Sequence, residues 1–242
     1  MSDADDLDAL VIELNAVAPR AASGDHTARL KGWLEQVVER SAADLLLVAG
    51  APPSLRIDGA IVEQLAVDLH HIAPDIVVDP KHALYRIYRD TRFSENKTPY
   101  KTHVAANFPS RGLPKHEGAG LYFHVSPDEV WVGGGMYAPQ TSQLQAVREH
   151  IAANVKRLRA IVESPGFRRH IGELEGDRLQ RVPRGFPQDH EGAEFLKYRQ
   201  FLAGCELPST AACSPQFYAT LVTVFRHVAP LARFLNEPLA KS

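Results

Sequence analysis

The chain has 242 residues, 45% of them hydrophobic, enough for a substantial core in one large domain or two small ones. A net charge of -2 and a pI near 6.6 argue against a protein that coats nucleic acid, so any anion site has to be local. Two cysteines, Cys205 and Cys213, are too few for a disulfide scaffold and lack metal-ligand company. No apolar run approaches the roughly 20 residues a membrane helix needs, and the N-terminus is acidic where a secretory signal is basic. A cytoplasmic chain with no membrane partner is expected.

In chain order, Leu7, Leu10, Val11, Leu14 and Val17 recur at helical spacing behind an acidic first turn, and Leu30, Trp33, Leu34, Val37 and Val38 mark a second helix. A strand, a Gly-Ala-Pro-Pro turn and a second strand follow up to Asp58 and Gly59. Residues 1–61 thus form a small helical and hairpin segment. Residues 62–242 read as an α+β domain. A helix over Val62 to Ile72 leads to four strand candidates at short spacing: Leu84 to Arg89, Thr102 to Phe108, Gly120 to Val125 and Val130 to Tyr137. Such a succession predicts an antiparallel sheet of about four strands packed against long helices. The longest helix, Gln143 to Val162, is expected to cover one sheet face after a cap at Thr141 and Ser142. A last helix from Pro215 to about Leu235 is expected to break or kink near Pro230.

The stretch from Arg86 to His103 has the character of a binding surface. Arg86, Arg89, Arg92, Lys97 and Lys101 gather on one Pro-containing turn with Tyr100 and His103, beyond what turn geometry requires. Strand alternation sets His103 and Asn107 on one sheet face, and Tyr122 and His124 on one face of the next strand. With the apolar face covered by a helix, these side chains line the open face beside the basic turn. Arg89 and Arg92 offer bidentate forks to a phosphate or carboxylate, and Lys97 and Lys101 offer point charges. His103 and His124 are the candidates for acid–base duty. They are not read as a metal pair, because no obvious carboxylate stands beside them on the strands. Arg181 and Arg184 flank Pro183 in a loop and are candidates to add charge to the same pocket. The bland alternatives are ion pairing between Arg89 and Asp90, and a Gly133–Gly134–Gly135 run that marks a bulge or close packing rather than an approach to phosphate.

Two resemblances bear on this. Residues from about 28 to 64 are similar to the N-terminal domain of the pilus-retraction and type II secretion ATPases. Ser41, Asp44, Leu45, Leu47, Gly50, Pro52, Pro53, Arg56, Asp58 and Gly59 occupy the matching positions, with Leu46 where that family carries His. This implies a small α/β module only. No G-x-x-x-x-G-K-[ST] occurs in the chain, so that family's route to nucleotide hydrolysis is absent. The remainder, about residues 62–240, resembles the domain of unknown function 2461 family of bacterial and fungal proteins. The residues that carry it are Arg86, Arg89 to Ser94, Lys97, Pro99 to Thr102, Tyr122 to His124, Gly133 to Gly135, Arg148 and Arg181 to Phe186. The family's helical "NN..WF" region is missing, and the ATPase-like segment stands in its place, as in a fusion.

Neither resemblance implies a reaction or a cofactor. The residues point to an enzyme or small-ligand binder for a phosphate- or carboxylate-bearing molecule, using Arg86, Arg89, Arg92, Lys97, Tyr100, Lys101, Asn107 and Tyr122. The alternative is an assembly module for nucleic acid or an acidic protein, with the basic motif structural. The acidic pI favours the small anion.

Overall fold

The computed structural model describes residues 60–85, 103–113 and 117–240, and the backbone of two short strands, Ala42–Leu46 (β1) and Ser54–Ile57 (β2). The chain divides into two units, Met1–Ala60 and Ile61–Ser242. In the first, β1 and β2 pair antiparallel with Leu45 opposite Leu55 and a bulge between Ala42 and Asp44. The two helices expected before β1 lie outside the described residues.

The second unit is α+β. Its sheet has the order β3-β4-β5-β6, antiparallel throughout: β3 is Val104–Phe108, β4 Gly120–Val125, β5 Glu129–Met136 and β6 Phe201–Pro208. Helices α1 (Ala60–Ile72) and α2 (Pro80–Ala83) precede it. Helices α3 (Thr141–Ala153), α4 (Val155–Val162), α5 (Pro165–His170) and α6 (Ala193–Leu196) join β5 to β6, and α7 (Phe217–Asn236) closes the chain.

The β4–β5 register is set locally. Ser126 Oγ donates to Glu129 O at 2.9 Å and accepts from Glu129 N at 3.0 Å, tying the two ends of a tight turn. That turn places Val125 opposite Val130 and His124 opposite Trp131. A slip of one residue would exchange the two faces, so this small network decides which side chains reach the site.

The apolar face carries Phe108, Leu121, Phe123, Val130, Val132 and Ala203, all buried. The helix that covers it is α7, not the 143–162 segment. Phe225 meets Phe108 edge-on at 5.8 Å, Phe217 meets Phe123 at 6.3 Å, and Val228 crosses Gly134. Each fully buried side chain of this size is worth about 1.5–3 kcal/mol, so the helix is held chiefly by this stripe. Helix α7 also runs through Pro230 without ending, so of the expected break or kink the break does not occur. Pro230 is exposed, while Ala229 and Leu231 on either side are buried in the core. Packing of the flanking residues outweighs the lost hydrogen bond.

Two further expectations are corrected. The long 143–162 helix divides at Asn154, whose Nδ2 donates to His150 O at 2.9 Å and whose backbone leaves the helical region. A polar side chain that takes the carbonyl one turn back is a recognised way to interrupt a helix. The fourth strand is β6, whose residues carry no clear strand signal of their own. Of the expected Leu84–Arg89 strand, Leu84 makes a single bridge to Ala106, and residues 86–89 lie outside the described residues.

Among the described residues no helix is long and apolar enough to cross a membrane.

Candidate functional site

The sheet face opposite α7 is concave and polar. It floors a cavity of about 610 Å³ lined by His103, Asn107, Tyr122, His124, Trp131 and Tyr85, with Glu117, Tyr137 and Gln143 at its edges. The register accounts for this gathering. Asn107 stands opposite Tyr122 across β3 and β4, and His124 opposite Trp131 across β4 and β5. Neighbouring side chains therefore lie side by side on one face.

Ring follows ring along this floor. His103 and His124 lie 5.9 Å apart by centroid, His124 and Tyr122 5.7 Å, and Tyr122 and Trp131 6.0 Å, all tilted or edge-on. His124 Nε2 is 3.2 Å from Glu129 Oε1, so a carboxylate does stand beside this histidine. It comes from the start of β5, across the Ser126 turn, which strand-by-strand reading overlooked. This contact with the carboxylate orients the imidazole on the sheet face. No group of three or more His, Cys, Asp or Glu able to hold a metal ion occurs among the described residues.

Burial, reinforced by the nearby Tyr85 and Tyr137 hydroxyls, pushes the Tyr122 phenol up to about 12. Burial also raises Tyr85. Both phenols are neutral hydroxyls at physiological pH, able to donate a hydrogen bond and unsuited to act as bases.

The cavity wall is pinned from below. Asn236, at the end of α7, accepts from Ala119 N at 2.7 Å and donates to Ala119 O at 2.8 Å and Ser110 Oγ at 2.6 Å, all of it buried. Gly118, Ala119 and Gly120 line the cavity directly above. At the other edge the N-cap of α3 is Gln140, one residue before the expected Thr141. Gln143 accepts from Gln140 N at 2.9 Å and donates to Glu117 at 3.2 Å, so the chain's own carboxylate sits at that helix start.

Of the site residues expected from sequence, the structure brings together His103, Asn107, Tyr122 and His124. Arg86, Arg89, Arg92, Lys97, Tyr100 and Lys101 lie outside the described residues. Arg181 and Arg184 are exposed on their loop and do not line the cavity. Arg148 is buried, with Nη2 donating to Tyr198 O at 2.9 Å, and braces the segment before β6. The glycine run serves close packing. A Cβ on Gly133 would strike the backbone of Ala203 and the Trp131 ring, and one on Gly134 would meet Val228 and the backbone of β4.

Sequence reasoning missed Trp131, Glu129, Tyr85, Glu117 and Gln143. For the first two a signal existed. Glu129, Trp131 and Gly133 alternate along β5, and pairing β5 with β4 sets them beside Tyr122 and His124. For Tyr85, Glu117 and Gln143 the proximity is tertiary and has no sequence signature.

Residues 59–234 match the model of a family described as a conserved hypothetical protein, DUF2461. No curated protein and no solved structure matches the chain. The family match begins at residue 59, which leaves the similarity of residues 28–64 to secretion ATPases without support.

Proposed function

The chain belongs to the DUF2461 family, and from the geometry of its own cavity we propose that it recognises a small molecule bearing a phosphate or carboxylate group. The observation that carries this is the 610 Å³ cavity on the polar sheet face, lined by His103, Asn107, Tyr122 and His124. Its size lies within the roughly 300–1,000 Å³ of ordinary ligand pockets, and it combines apolar walls with a few convergent polar groups.

The anionic part of the reading comes from the basic composition of the stretch between Tyr85 and His103. Tyr85 and His103 both line the cavity, and Tyr85 N donates to Ala105 O at 2.9 Å, so the two residues that flank the basic stretch in sequence both stand there. Between them in sequence come Arg86 and Lys101, which are proposed as ligand groups. Arg89, Arg92, Lys97 and Tyr100 belong to the same stretch of sequence and are proposed as further ligand groups. His124, oriented by Glu129, and His103 are the proposed acid–base residues if the bound molecule is also transformed.

The test is thermal unfolding of the full chain, and of Arg89→Ala and Lys101→Ala, with phosphates, carboxylates and short oligonucleotides at low and high salt. A ligand at 100 times its Kd adds about 2.7 kcal/mol. Stabilisation by small anions that persists at high salt and is lost in folded variants supports the reading. Stabilisation by oligonucleotides alone, falling steeply with salt, or by nothing at all, overturns it.

A further inference from the structure

The cavity floor holds one large flat surface. Trp131 stands in β5 between His124 of β4 and Glu206 of β6. Its indole leans along the strand over Gly133 and across to Gly204, which is Gly133's partner in the ladder. A Cβ on Gly133 would lie 2.7 Å from Trp131 Cη2, and one on Gly204 would lie 2.8 Å from Cε2 and nearer still to Cζ2. The benzo half of the ring therefore rests against bare backbone on a bed that any other residue pair would fill. With its benzo half seated on this glycine bed, the indole presents its remaining surface to the cavity that Trp131 lines. The aromatic-rich surround continues outward through Tyr122, His124 and His103.

Resting on the reading that this cavity takes a small anion, we propose that the ligand is a planar aromatic or heteroaromatic ring carrying the phosphate or carboxylate, with its ring stacked on Trp131. A supported indole face is a stacking platform, fixed in orientation before the ligand arrives and losing no rotamer freedom on binding. The polar groups stand at the rim of that platform. His124 and Asn107 reach the edge of a stacked ring, where heteroatoms or ring substituents lie, and the Tyr122 hydroxyl is a donor there. A polyhydroxylated sugar is a poorer fit. The cavity lining includes Ala105, Gly134, Gly135, Met136 and Leu202, whose side chains offer a sugar's hydroxyls no partner. The anionic group then lies at the His103 end of the row of rings.

The experiment uses the full chain with Trp33→Phe, which leaves Trp131 as the single tryptophan. AMP, UMP, salicylate and anthranilate are titrated against ribose 5-phosphate, inorganic phosphate and succinate. Trp131 fluorescence and calorimetry are read together, then calorimetry is repeated in Trp131→Leu. The expected result is saturable quenching by ring-bearing anions and binding about tenfold or more tighter than the ring-free counterpart, as base stacking supplies. Trp131→Leu should erase that margin, and if it does not fold, the quenching in the Trp33→Phe chain decides alone. The nucleotides and the aromatic acids separate two sources of the same chemistry. Ribose 5-phosphate or succinate binding as tightly as the ring-bearing anions, without quenching, overturns the stacking platform and leaves the anion cavity standing. No saturable binding by any of the compounds overturns both.

Discussion

Asn236 and Ala119 exchange two hydrogen bonds, Ala119 N to Asn236 Oδ1 at 2.7 Å and Asn236 Nδ2 to Ala119 O at 2.8 Å. The side chain thus imitates a strand neighbour, and it belongs to the last turn of the helix that covers the opposite sheet face. Core and cavity are joined through this one amide. Asn236→Ala leaves the buried Ala119 N–H without an acceptor, and the expected loss is about 2–3 kcal/mol. At roughly 2–4 °C per kcal/mol for a chain of this size, the melting temperature should fall by about 4–12 °C. Ligand affinity should fall with it, because Gly118 to Gly120 form the wall above. A melting temperature within about 1 °C of the parent would show that the pair contributes nothing.

Gly133 and Gly172 separate two reasons for glycine. Gly172 has φ of +94° and nothing within 4 Å of the place a Cβ would take, so Gly172→Ala carries only backbone strain, about 1–2 kcal/mol. At Gly133 a Cβ would run into Ala203 O and the Trp131 ring, so Gly133→Ala forces the β5–β6 ladder apart and should cost about 3 kcal/mol. Denaturant unfolding gives the order directly. A smaller loss at Gly133 than at Gly172 would contradict the glycine bed.

The contrast also shows what the sequence could and could not disclose. Alternation along β3 and β4 was enough to put His103, Asn107, Tyr122 and His124 on one polar face, because a strand has period two whatever it pairs with. The same alternation along β5 would have added Glu129 and Trp131, but it means nothing until the partner register is known. The Ser126 turn sets that register. Strand β6 was invisible for another reason. Phe201 to Pro208 contains Gly204 in its centre, a residue that weakens strand propensity and is there to seat the indole of Trp131. Helix α7 outranked the 143–162 segment as the sheet cover through the length of its apolar stripe, whereas Asn154 divided its rival. The basic residues 86–102 were legible only as composition.

His227 stacks on His170 at 5.0 Å with rings 8° from parallel, and its edge packs on Gly166. Burial first, then His170 and Arg226, hold the His227 imidazole below its usual value near 6.5. The unfolded chain therefore binds this proton more readily than the folded one. The stabilising contribution is complete above about pH 6.5 and is lost as the pH falls through the lowered folded value. Urea unfolding at pH 7.5 and pH 5.5 should show the parent losing more stability on acidification than His227→Gln. Equal losses in the two proteins would remove His227 from the acid response.

Tyr122 provides the corresponding alkaline test, and one for the cavity. Its phenol, raised to about 12, stays protonated well past the ordinary value of 10. Because the folded value lies above the unfolded one, its contribution is intact below about pH 10 and is lost as the pH rises through 12. Absorbance titration near 295 nm should show one late-ionising tyrosine fewer in Tyr122→Phe than in the parent. The same substitution removes a neutral donor from beside the ring platform while keeping the aromatic face. A lost neutral hydrogen bond is worth about 0.5–1.5 kcal/mol, so a ring held at its edge by this hydroxyl should bind about 2- to 12-fold more weakly. The quenching of Trp131 at saturation should be preserved, since the indole and its glycine bed are untouched. Unchanged affinity in Tyr122→Phe would remove this hydroxyl from the contacts at the ring edge.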